Sequence, residues 1–236
     1  MKLYGSLTSP YVRKCRILIR EKALACEFVQ ADPWAADSPV PRLNPLGKVP
    51  VLERGDGSPL YDSPVIVEYL DSLKAPALLA PAGETAGAPA QTTGRTSEAS
   101  RATVSARGPR LNPIGEERWA MLRLQALADG ILDATVTRLL ESRRPQPQQS
   151  PENIKRQEEK IACALAYADS LPQGETYLMQ SHFSLADLCL GVALEYVDFR
   201  YAHDWRAKHP KLARWLAGIS SRPSFVETVP PGMEKK

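Results

Sequence analysis

The chain has 236 residues, enough for one large domain or two small ones, each with its own core. Charged residues make up 24% and the hydrophobic set 43%, ordinary globular proportions that exclude a disordered chain. A formal net charge of only +3 argues against nucleic acid or an anionic membrane as the main partner.

At the amino terminus, Lys2 is followed by Leu3-Tyr4-Gly5-Ser6, which lacks the apolar run of a secretory signal. No segment approaches the length of unbroken apolar sequence that spans a bilayer. The expectation is a cytoplasmic protein with no membrane contact. Lys2 to Gly5 reads as a short strand, and Ser9-Pro10 opens a helix with serine as N-cap and proline at its first position. Val12, Cys15, Leu18 and Ile19 form the apolar stripe of that helix. Cys26 to Gln30 alternates as a second strand. After an irregular stretch, Asn44-Pro45-Leu46-Gly47 turns into a third strand, Val49 to Leu52. Asp56-Gly57 signals a hairpin before Pro59 to Tyr61. Ser63-Pro64 repeats the N-cap and proline device and opens a helix through Val65, Ile66, Tyr69 and Leu70. This order of elements predicts a small mixed sheet with helices packed on it.

Residues 81–115 break the pattern. The run from Ala82 onward is small and polar, almost without large apolar residues until Val104 and Leu111, so it predicts a flexible linker or insert. From 116 to 236 the pattern is helical throughout. Trp119, Leu122, Leu127, Ile131, Val136 and Leu139 run along one helix, and Ser150-Pro151 starts another. Leu185 to Leu194 is apolar nearly all round, the mark of a helix buried in a bundle, and Ser184 with Asp187 forms a capping-box-like start. A last helix runs through Leu212, Trp215, Leu216 and Ile219. The expected division is therefore 1–80, an α/β domain; 81–115, the linker; and 116–236, an all-helical bundle.

Four cysteines lie far apart and three histidines sit at no ligand spacing, so the cysteines read as reduced, mostly core residues, with no metal site. Ser9 has two readings. It caps its helix, or its hydroxyl donates to a bound thiolate at a helix start that favours negative charge. Val49-Pro50 is a plain edge strand or a backbone that pairs with an extended peptide, with Pro50 able to sit cis. Asp62 and Ser63 either cap a helix or hold an ammonium and a carboxylate respectively. Asp129 and Asp133, one turn apart on a helix, read as a solvated or dimer-facing pair. Gly130 between them hints at close packing.

The order of these pieces is informative. A strand, then Thr8-Ser9-Pro10-Tyr11-Val12-Arg13-Lys14, Gly47-Lys48-Val49-Pro50-Val51-Leu52 and Tyr61-Asp62-Ser63-Pro64-Val65-Ile66, resembles the thioredoxin-like amino-terminal domain of the glutathione S-transferase superfamily. Phe183 to Asp187, His209 to Trp215 and Arg222 to Phe225 are similar to the family's central helix and closing segments, and Ala128 to Ala134 to a helix of its bacterial members. The resemblance covers the chain except roughly residues 82–115. It implies that Ser9 contacts the glutathione sulfur, that Val49 pairs with the cysteinyl unit beside a cis Pro50, and that Asp62 and Ser63 hold the γ-glutamyl end. It also implies that Lys48 contacts the glycyl carboxylate. Cysteine stands in place of Ser9 in glutaredoxin-like and omega-like members, so exchange through a protein thiol is disfavoured here. The implied activity is a homodimeric detoxification enzyme using glutathione as co-substrate against a small hydrophobic electrophile, with a peroxidase or reductase variant differing only in the electrophile. The alternative is a non-enzymatic interaction module on the same fold, resembling stringent starvation proteins.

Overall fold

The computed structural model describes residues 1–73, 110–171, 176–179 and 182–233. Strand β1 (Lys2–Gly5) leads into helix α1 (Pro10–Glu21), then β2 (Glu27–Gln30), the short helix α2 (Val40–Leu43), β3 (Val51–Glu53), β4 (Pro59–Leu60) and α3 (Ser63–Ser72). The helices α4 (Glu117–Ser142), α5 (Pro151–Ser170), α6 (Leu185–Arg200), α7 (Pro210–Ser220) and α8 (Pro223–Val226) follow. The expected irregular stretch thus contains one turn of helix. The linker expected at 81–115 lies outside the described residues except for 110–115. Of these, Leu111 and Asn112 are not solvated: both are buried and donate backbone N–H groups to the Asp71 carboxylate at 3.0 Å.

The sheet order is β2-β1-β3-β4, with β1 and β2 parallel and the other two pairings antiparallel. Gly57, at φ +81°, makes the β3–β4 turn that the Asp56-Gly57 pair predicts. Gly5 ends β1 where a side chain has no room, since a Cβ there would lie 2.4 Å from a Val12 methyl. That contact lets α1 settle directly on the sheet, with Val12, Cys15 and Leu18 fully buried. Full burial of such side chains is worth about 1.5–3 kcal/mol each, which makes α1 the pivot of the fold.

Helix α6 is buried on every side from Leu185 to Val197, as its unbroken apolar sequence requires. Asp187 accepts from the Ser184 N–H at 2.9 Å, completing the capping box at its start. In α4 the buried side runs through Met121, Leu124, Ala128, Ile131 and Leu132, whereas Trp119 is 62% exposed. Close packing is found at Gly191, where a Cβ would come 3.0 Å from Ile219 and Phe225, and not at Gly130, which meets nothing within 4 Å. Gly130→Ala is therefore expected to stabilise the fold by about 0.5–1 kcal/mol in urea unfolding, through helix propensity alone. A loss of stability would mean that another surface lies against α4 there.

All four cysteines are free, but only Cys15 and Cys189 are core residues; Cys26 is half-buried and Cys163 exposed. Burial pushes both core thiols up, Cys189 to about 12, which leaves them unreactive. No helix among the described residues is long and apolar enough to cross a membrane.

Candidate functional site

Strand direction brings the three sequence motifs to one end of the sheet. Tyr4 pairs with Val51 across β1 and β3, and Leu52 pairs with Leu60 across β3 and β4. The last residue of β1, the first of β3 and the last of β4 therefore share an edge. From it project the start of α1 at Ser9, the Val49-Pro50 step two residues ahead of β3, and the start of α3 at Ser63. Strands lie about 4.8 Å apart, so β1 to β4 spans roughly 10 Å, about the reach of an extended tripeptide.

Ser9 is the N-cap of α1, in extended backbone at φ −77°, ψ 124°, and half-buried. Its Oγ accepts from the Val12 N–H at 3.4 Å, long for such a bond, and the hydroxyl proton is not consumed by capping. The peptide bond between Val49 and Pro50 is cis. Asn44 braces the turn before it: its side-chain amide donates to the Lys48 carbonyl at 2.9 Å, and its Oδ1 accepts from the Leu46 N–H at 3.0 Å. Lys48 itself is exposed.

At α3 the capping differs from the expectation. Asp62, not Ser63, is the N-cap, and its carboxylate accepts from the Ser63 N–H; the Tyr61–Asp62 peptide is also cis. Ser63 becomes the first helical residue, 1% exposed, and its Oγ is buried with no hydrogen-bond partner among the described residues. Buried hydroxyls are rarely left in this state. Asp129 and Asp133, expected as a solvated or dimer-facing pair, differ: Asp129 is half-buried and accepts from Lys14 of α1, while Asp133 is exposed and accepts from the Tyr11 hydroxyl. Burial pushes the Asp129 carboxyl up despite the Lys14 charge, with Asp133 and Asp62 adding to the rise. These contacts hold α4 against the first turns of α1, and Arg118 on Glu68 ties α4 to α3.

The two phenols near this edge are already engaged. Burial and the bond to Asp133 hold the Tyr11 hydroxyl protonated, and Tyr4 donates to Glu53 at 2.9 Å on the sheet, which raises its pKa. Ser9 is left as the hydroxyl at the helix mouth. The sequence reading missed the interdomain pairs and Arg13, which reaches Glu195 of α6 and the Phe225 carbonyl. The basic residues four and five positions beyond Ser9, Arg13 and Lys14, hold the hint of them, since charges inside an apolar-striped helix need partners. A cavity of about 620 Å³ lies elsewhere, at the far end of α1 against Ile19, Leu24, Phe28 and Arg222. It touches none of the three motifs.

Residues 3–78 match the family model for the glutathione S-transferase amino-terminal domain, and residues 151–218 that for its carboxy-terminal domain. The glutathione-S-transferase-like protein YibF of Escherichia coli is 36% identical, over 98% of this chain and 99% of its own. The chain belongs to the glutathione S-transferase family. Its sheet with α1 to α3 is the thioredoxin-like half of that fold, and α4 to α8 are the helical half. Solved glutathione S-transferases superpose along the whole length. One from Methylobacillus flagellatus, with glutathione bound, has a TM-score of 0.79 and 36% identity over 97% of this chain and 98% of that one. Another from Methylobacterium radiotolerans, in complex with glutathione sulfonate, has a TM-score of 0.78 and 32% identity over 100% and 97%.

Proposed function

We propose that the protein is a cytoplasmic glutathione transferase that joins the glutathione thiolate to a small hydrophobic electrophile, with the domain division 1–80, 81–115 and 116–236. The observation that carries this reading is the orphaned, buried hydroxyl of Ser63, held at the same sheet edge as Ser9. Glutathione lies extended along that edge. Ser63 donates to the γ-glutamyl carboxylate and Asp62 meets the ammonium. The Val49 backbone beside cis Pro50 pairs with the cysteinyl unit, and Lys48 meets the glycyl carboxylate. The sulfur then points at Ser9.

Ser9 supplies the chemistry. A free thiol titrates near ~8.5, so little is ionised at neutral pH. Lowering that value by two units takes about 2.7 kcal/mol. A hydrogen bond to a charged group provides roughly 1.5–3 kcal/mol and the helix start about 0.3–1 more. The remaining acceleration is proximity to an electrophile held against the helical half. Peroxide or disulfide reduction would use the same thiolate on a different electrophile.

A homodimer in a detoxification role fits the surface. Tyr61 just before α3, Val65 on α3 and Trp119 on α4 are exposed apolar groups, and Arg118 joins Glu68 between those helices.

The test is retention on immobilised glutathione together with the pH profile of chlorodinitrobenzene conjugation. Ser9→Ala is expected to move the alkaline-rising limb of kcat/KM up by one to two pH units, about tenfold to a hundredfold less activity near neutrality. Glutathione affinity should hold. An unmoved limb returns Ser9 to capping alone, and no measurable glutathione affinity in the wild type ends the transferase reading.

A further inference from the structure

The last turn of α6 carries a positive charge without a counter-ion. The Arg200 guanidinium stacks 3.7 Å from the centre of the Phe199 ring and 5.9 Å from that of Tyr196. Its Nε is buried and has no hydrogen-bond partner, and no carboxylate among the described residues pairs with it. The acidic residues nearest in sequence are taken. Glu195 holds Arg13, and Asp198 holds Arg206 and the Trp205 indole.

Arg200 also stands at a meaningful place. Tyr196, one turn earlier and 6% exposed, is raised by burial while Arg200, through charge and a hydrogen bond, and Arg143 pull the other way. The Tyr196 oxygen is in turn felt by Tyr11, two residues beyond Ser9 at the mouth of α1. The α1 start, α4 at Asp133 and α6 at Tyr196 and Arg200 thus meet at one corner. The carboxylates that face this corner are engaged: Asp129 with Lys14 and Asp133 with Tyr11. A guanidinium on aromatic faces, partly desolvated and lacking an anion, is arranged to take a carboxylate through two parallel N–H donors.

We propose that Arg200 is a specificity-determining residue that receives a carboxylate on the second substrate, so that the electrophiles are apolar bodies bearing one anionic group. This rests on the transferase reading above. The sulfur forms the new C–S bond at the activated carbon. The leaving group departs with the bonding pair, and the thiol proton has already passed to water.

The probes are chlorodinitrobenzene and its carboxylate-bearing analogue chlorodinitrobenzoate, from which chloride leaves, together with the two glutathione conjugates they form. Wild-type protein is expected to bind the carboxylate conjugate about tenfold more tightly than the neutral one in calorimetry. Arg200→Gln should remove that preference, and the ratio of kcat/KM for the two electrophiles should fall about tenfold. Arg200→Lys should retain part of it. A side chain that merely packs would weaken both conjugates alike. Equal wild-type affinities, or equal losses for both in Arg200→Gln, overturn the assignment. A carboxylate preference that depends on Arg200 but comes without turnover supports it while removing the transferase reading. Failure of both conjugates to bind removes both.

Discussion

Ser63→Ala is expected to raise the dissociation constant for glutathione about tenfold to a hundredfold while leaving the melting temperature unchanged or slightly higher. The two signs follow from one fact. Ser63 Oγ is buried and has no partner among the described residues, so in the free protein it carries a desolvation cost of about 1–3 kcal/mol with nothing in return. Removing it costs the fold little. A carboxylate arriving at α3 gains a bond from a hydroxyl that has no competing partner, about 1.5–3 kcal/mol for a charged acceptor, which converts to the stated loss of affinity. The pair of measurements is a calorimetric isotherm and a thermal melt on the same preparation. Lower stability with unchanged affinity would show that Ser63 is a packing residue, and the tripeptide would then have to lie elsewhere. Ser9→Ala should behave in the opposite way, sparing affinity and costing rate, because its proposed partner is the reacting sulfur.

How legible was this in the sequence? Local devices with their own physics were read correctly. Ser9-Pro10, Ser150-Pro151 and the Ser184–Asp187 box each start a helix, because a side-chain acceptor with a proline at the first position, or a reciprocal Ser–Asp pair, acts over three or four residues. The all-round apolar run of α6 admitted only a buried helix. The meeting of the three motifs was legible through their order, since strand direction brings Ser9, Val49 and Ser63 to a common edge. Misreadings arose where the answer depends on a distant partner. Asp62 displaced Ser63 as cap, although both residue types cap well and only the tertiary surroundings choose between them. Gly130 looked like a contact point because a helix glycine needs a reason, yet the close approach is at Gly191, where α6 meets Ile219 and Phe225. Asp129 looked surface-bound because its partner, Lys14, lies more than a hundred residues earlier.

Asp129→Ala is expected to lower the melting temperature by about 6–20 °C, the largest stability effect of any single change considered. Lys14 lies in α1 with a side chain 0% exposed, and Asp129 of α4 supplies its counter-charge at 19% exposure. Deleting the carboxylate leaves an ammonium in the interior with the Tyr11 ring, 5.7 Å away, as the compensating contact among the described residues. Breaking a buried pair on one side typically costs about 3–5 kcal/mol, and at this chain length each kcal/mol shifts the midpoint by about 2–4 °C. The loss belongs to the junction between the sheet half and the helical half, so it should reach catalysis as well. Tyr11 and Ser9 share the first turn of α1, and loosening α1 from α4 moves the hydroxyl proposed to meet the sulfur. A double variant, Lys14→Met with Asp129→Leu, discriminates between lost charge balance and lost packing. It removes both charges at similar volume and should recover most of the stability, since apolar replacements of buried pairs are often neutral or better. If the double variant melts as low as Asp129→Ala, packing around Asp129 rather than the Lys14 charge holds the junction. If Asp129→Ala melts within about 2 °C of wild type, the ammonium reaches water by another path and α1 is anchored chiefly by Arg13 on Glu195.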